Sequence, residues 1–113
     1  MTKTTKQRLE VAVQKGVALL DEKRPTWRAE VRRRLESHDL VMSECARCVL
    51  GHLFTYYDRG LVYLDLDEVE EKIHGFNVPN LPLGTDLNEQ YEELEVLWLK
   101  EIMQEDPDAP RLA

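Results

Sequence analysis

Apolar residues return every third or fourth position along most of this chain, a spacing that belongs to helices. Leu9, Val13, Val17 and Leu20, with Ala12 beside them, predict a first helix from Thr5 to about Glu22. Gly16 interrupts that stripe, where a glycine either weakens the helix or admits a close neighbour. Pro25 forbids continuation, and Trp27, Val31 and Leu35 predict a second helix from Thr26. Leu87, Tyr91, Leu94, Trp98 and Ile102, with Leu97 alongside, predict a last helix to about Gln104. Asp86-Leu-Asn-Glu89 has capping-box spacing at its start. A shorter helix is expected from Asp65 or Asp67 to His74, with Leu66, Val69 and Ile73 inward. Gly75 should end it, with Phe76 folded back on its last turn.

Between these lies Ser43–Gly60, which holds both cysteines and reads as a central helix capped by Ser43 and stopped by Gly60. Ser37-His38-Asp39 is a connection, and Leu40-Val41-Met42 after it should be a buried link. Leu61–Leu64 fits either a helical turn or a short extended piece. Residues 77–84, with Pro79, Pro82 and Gly84, predict a loop pinned by Leu81 and Leu83. The expected fold is all-α: an irregular bundle of four main helices plus one short helix. It forms one domain over residues 5–105, with a disordered segment at 1–4 and a flexible tail at 106–113.

Charge is divided along the chain. Residues 1–60 carry 12 Lys or Arg against 8 Asp or Glu, while residues 61–113 carry 3 against 14, for a net −7. Either the two surfaces pair within the fold or one of them seeks a charged partner. The net acidity argues against nonspecific nucleic-acid binding. No apolar run approaches the roughly 20 residues of a membrane span, and no signal-peptide segment follows the basic start, so the cytoplasm is the expected location.

Cys45-x2-Cys48-x3-His52 would share one face of the central helix, and three accounts fit it. Two thiolates and an imidazole suit zinc, with His38 or His74 as a fourth ligand. A cysteine in a first helical turn favours thiolate, and His52 one turn beyond Cys48 could relay a proton. In the third account Cys45, Cys48, Val49, His52, Leu53 and Tyr56 are filling for a core, with Gly51 permitting close packing. The chain contains no Gly-rich phosphate loop, zinc-protease His pair or nucleophile elbow.

Two resemblances bear on these accounts. Cys45-Ala-Arg-Cys48-Val-Leu-Gly-His52, with Gly60 beyond, resembles the motif of the all-helical alkylhydroperoxidase D and carboxymuconolactone decarboxylase-like proteins. That resemblance implies Cys48 as peroxidatic thiol, Cys45 as its resolving partner and His52 as proton relay. The glutamate which that family places ahead of the first cysteine falls on Arg33 here. Separately, Cys48-Val-Leu-Gly-x-Leu-Phe-x-x-Tyr56-x-x-x-Gly60-Leu is similar to small proteins of unknown function from actinobacteria and their phages. Those also carry a tryptophan helix upstream, like Trp27, and another at the end, like Trp98. This second resemblance implies a helical fold and a phage or prophage origin, and it implies no activity.

The expectation is therefore a small soluble helical protein that binds a host or phage macromolecule, without catalysis, through a charge-polarised surface. Arg28, Arg32 and Arg33 on one side and Glu89, Glu92 and Glu93 on the other are the candidate binding residues. No catalytic residue, cofactor, metal or membrane contact is expected, and the partner is expected to be a protein rather than a nucleic acid. The alternatives are a thiol oxidoreductase using Cys48, Cys45 and His52, and a zinc-stabilised domain using Cys45, Cys48, His52 and His38.

Overall fold

A computed structural model describes residues 3–78 and 87–104. The fold is all-α, with six helices and no strand among the described residues. They are α1 (Lys3–Lys23), α2 (Trp27–Leu35), α3 (Val49–Phe54), α4 (Tyr57–Leu64), α5 (Glu68–Ile73) and α6 (Leu87–Ile102). The expected core stripes of α1, α2 and α6 are buried: Leu9, Val13, Val17, Leu20, Trp27, Val31, Leu94, Trp98 and Ile102. The Asn77–Gly84 loop is described only as far as Val78, which is buried. Leu81, Leu83, Asp86 and the tail from Asp106 lie outside the described residues.

Trp98 of α6 is the hub of the core. Its ring meets Trp27 edge-on at 5.8 Å between centroids and stacks on Phe76 at 5.4 Å. Its Nε1–H donates to the carbonyl of Gly75 at 2.8 Å, so this buried polar atom is satisfied. Gly75 ends α5 as expected, in the left-handed region at φ 72°. The Phe76 N–H returns to Glu71 and the Gly75 N–H to Lys72, the two bonds of a Schellman turn. Phe76 is thereby folded onto the core, where it is 2% exposed.

Gly16 is explained by the same turn. A Cβ there would overlap the His74 carbonyl oxygen and come within 2.9 Å of the Trp98 ring. A Cβ on Gly75 would lie 2.8 Å from the backbone nitrogen of Val13. Helix α1 and the turn after α5 thus cross backbone to backbone, a contact that only residues lacking a side chain allow.

The central helix departs most from expectation. Ser43–Gly60 forms a run of turns and two short helices instead of one helix. Leu40 and Met42 are buried as predicted, and the Met42 N–H donates to Glu95 of α6 at 2.9 Å. Holding that link against α6 consumes residues 41–47 in tight turns, Glu44 N–H to Val41 O and Arg47 N–H to Glu44 O, each at 3.1 Å, and the Val41 N–H to Arg47 O bond at 3.0 Å closes the loop. Helix can begin only after Cys48, whose backbone is extended at φ −72°, ψ 175°. Ser43 is therefore no cap.

Helix α3 breaks at Thr55, which has φ 77° and ψ −45°, a γ-turn conformation that is strained for a β-branched residue. Gly60 is not a stop. It sits buried inside α4, where a Cβ would be 2.8 Å from Leu50 Cβ and 2.9 Å from the Phe54 ring. It lets α4 fold flat against α3. Helix α4 ends instead at Asp65, in the left-handed region at φ 57°, so Leu61–Leu64 is helical.

Helix α5 is also rotated from its expected position. Asp67 caps it, accepting from the N–H groups of Val69 and Glu70. Yet Val69 and Ile73 face outward, 66% and 43% exposed, and Glu71 faces in at 7%. The physical reason is a polar partner: Glu71 accepts from Asn77 Nδ2 at 3.0 Å beside the Schellman turn. Leu87 at the start of α6 is likewise exposed rather than in the core.

Candidate functional site

The cysteines and His52 do not form a stripe. Cys45 is exposed in the turn, and Cys48 is 2% exposed at the N-cap of α3. The Cys48 Sγ accepts from the Gly51 N–H at 3.3 Å, and its thiol points at the Cys45 carbonyl, 3.7 Å away. Burial pushes this thiol up to about 11, and the N–H groups of Gly51 and Leu50 offset that only in part. A thiol held protonated is a weak nucleophile. Gly51 serves a packing role, since a Cβ there would meet the Cys45–Ala46 peptide.

His52 is 3% exposed and turns elsewhere. Its Nε2 lies 3.0 Å from the Asp39 carbonyl oxygen. A carbonyl can only accept, so Nε2 carries the proton and the buried Nδ1 is a bare acceptor with no partner. Burial lowers its basicity, the Asp39 carbonyl opposes that, and Arg34 and His38 add to the lowering. His38 is exposed and contacts Ser37 Oγ at 2.9 Å. Among the described residues no group of three or more His, Cys, Asp or Glu is placed to hold a metal ion, so Cys45, Cys48, His52 and His38 are not gathered. His74 Nδ1 is engaged by the Glu70 carbonyl at 2.8 Å.

The two cysteines do meet at a cleft of about 90 Å³, with Met42, Tyr57, Asn77 and Tyr91 on its walls. Behind it runs a polar chain: Tyr91 Oη donates to Asn77 Oδ1 at 2.9 Å, and Asn77 donates to Glu71. The Tyr57 hydroxyl is buried without a hydrogen-bond partner. Burial first, and the neighbouring Glu71 second, push its ionisation far up. Tyr91 is shifted the same way for the same reasons. Sequence reasoning missed this cleft. Its walls come from four separate segments, and the spacing of Tyr91 marks it as part of the core stripe of α6.

The candidate binding residues divide. Arg28 is turned inward: it bonds Asp21 at 2.9 Å and the Glu101 carbonyl at 3.0 Å, and it lies over the Trp27 ring. Glu101 also accepts from Gln14, so this group ties α1, α2 and α6 together. Arg32 is half-buried and Arg33 exposed. Glu89 and Glu92 are exposed and Glu93 half-buried; together with Lys6 and Val96 they line a shallow depression along α6.

On the other flank of α1, a groove of about 400 Å³ runs between α1 and α5. Its floor includes Leu9, Ala12 and Ile73, and Arg8, Lys15 and Lys72 border it. No helix among the described residues is long and apolar enough to cross a membrane. No protein-family model, curated protein or solved structure matches this chain.

Proposed function

We propose that this chain is a non-catalytic binding protein that engages a host or phage macromolecule through a charge-divided surface. One observation carries the reading. Two surface hollows differ in the balance of charge that lines them. Glu89, Glu92 and Glu93 outnumber Lys6 in the α6 depression, while Arg8, Lys15 and Lys72, and no carboxylate, line the α1/α5 groove. Such fields orient and select partners more than they stabilise a fold. The resemblance to small actinobacterial and phage proteins suggests a phage origin and action in the host cytoplasm.

The test is capture from an actinobacterial lysate by the wild-type chain and by two charge reversals, Glu89→Lys with Glu92→Lys, and Arg8→Glu with Lys15→Glu. A partner retained at low salt by the wild type and lost by one reversal supports the reading. Identical capture by all three chains refutes it.

A thiol oxidoreductase is the second reading, favoured by the shared cleft of Cys45 and Cys48 with two tyrosines beside it. Peroxide-dependent turnover lost in Cys45→Ser would establish it. The protonated state of Cys48 and the engagement of His52 by Asp39 place it behind the binding reading.

A further inference from the structure

We propose that the α1/α5 groove is a docking site for an acidic amphipathic helix of a partner protein; this deepens the binding reading by naming the partner chemistry of one face.

Three observations converge. First, Val69 and Ile73 stand at i and i+4 on α5, a spacing that marks a face to be covered, yet both are exposed. Their orientation is held from within by the Glu71–Asn77 bond and the Schellman turn. Second, the facing ridge of α1 presents Val11 at 55% exposure, so apolar side chains border the groove from both helices. Third, the groove is lined by three cations, Arg8, Lys15 and Lys72, and by no Asp or Glu. That contrasts with a chain of net charge −7.

A lining of apolar side chains and cations with no carboxylate fits a ligand with an apolar stripe flanked by carboxylates. The groove extends along α1 from Thr4 to Lys15. At 1.5 Å per residue this is about 16 Å, or three turns of a bound helix, enough for anchors at i, i+3 or i+4, and i+7. Nucleic acid would leave the floor uncovered. At physiological salt charges beyond about 8 Å are screened, so the local rim governs an acidic ligand more than the net charge does.

The test uses the full chain and labelled synthetic helices of about 18 residues, one with a leucine stripe and glutamates elsewhere, the other with lysines for glutamates. Anisotropy should show saturable binding of the acidic peptide, weakened at least about tenfold between roughly 0.05 and 0.3 M salt. Arg8→Glu and Ile73→Glu should each weaken it about tenfold or more. Val62→Glu, at an exposed apolar site on α4 away from both surfaces, should leave it unchanged and shows that the assay reads this groove. The proposal is overturned if the acidic peptide fails to saturate, if the lysine peptide binds as tightly, or if Ile73→Glu has no effect. It is also overturned if sedimentation shows self-association that Ile73→Glu abolishes. Failure here with lysate capture still lost in Glu89→Lys, Glu92→Lys would leave the binding reading intact and remove only this groove.

Discussion

Replacing Gly16 by alanine sets two effects of opposite sign against each other. Gly16 lies inside the 21-residue helix α1, where alanine is intrinsically favoured over glycine by about 1 kcal/mol. Propensity alone therefore predicts a more stable protein. The new Cβ, however, would overlap the His74 carbonyl and touch the Trp98 ring. Neither neighbour yields easily. The His74 carbonyl belongs to backbone fixed by the Schellman turn, and Trp98 is bonded to Gly75 and packed on Trp27 and Phe76. Overpacking of this kind costs about 1–3 kcal/mol, and a clash with backbone belongs at the upper end. The net expectation is a loss of about 1–2 kcal/mol, or roughly 5–15 °C in Tm for a domain of this size. Urea and thermal unfolding, followed by circular dichroism and tryptophan fluorescence, measure it. Ala18→Gly, on an exposed position of the same helix, isolates propensity and should cost about 1 kcal/mol. A Gly16→Ala protein that melts at or above the wild type would refute the close-approach argument.

Three further outcomes are expected. In the folded protein exposed Cys45 should be labelled by iodoacetamide without denaturant. Cys48, held near 11 against a usual 9.0, should have about 100-fold less thiolate below pH 9 and react freely only in denaturant; equal labelling of both contradicts its burial. His52 is less basic folded than unfolded, so the unfolded chain takes up the proton first, and stability should fall as pH drops below about 6.5 toward the folded value. In His52→Gln that part of the slope below about pH 6.5 should vanish, and an unchanged slope would assign it to another group. Thr55→Gly relieves a positive φ at the α3–α4 joint and should stabilise by up to about 1 kcal/mol in chemical denaturation, whereas a clear loss would mean that the Thr55 side chain matters more than its backbone strain.

What could be read from the chain alone follows from how local each signal is. The stripes of α1, α2 and, beyond exposed Leu87, α6, the Asp67 cap and the Gly75–Phe76 stop are carried by residues within a turn or two of each other, and these stand as expected. The candidate site was less legible. The Cys45, Cys48 and His52 spacing assumed a continuous helix, which Met42 and Glu95 forbid by tying the preceding link to α6. Arg28 looked like a surface cation, but only the approach of Glu101, 73 positions away, turns it inward.

Helicity and the buried faces of the long helices follow from the order of residues, because side-chain periodicity acts through neighbours three and four positions apart. Tertiary packing set where the central segment breaks, which way α5 faces and which charges are drawn into internal pairs. Glu71 turns inward because Asn77 is there to receive it, and that one hydrogen bond between separate turns leaves Val69 and Ile73 outside. Asn77 in turn accepts from Tyr91 of α6, and a polar chain anchored on another helix can outweigh the preference of a six-residue apolar pattern, since so short a helix has little packing energy of its own to set its rotation.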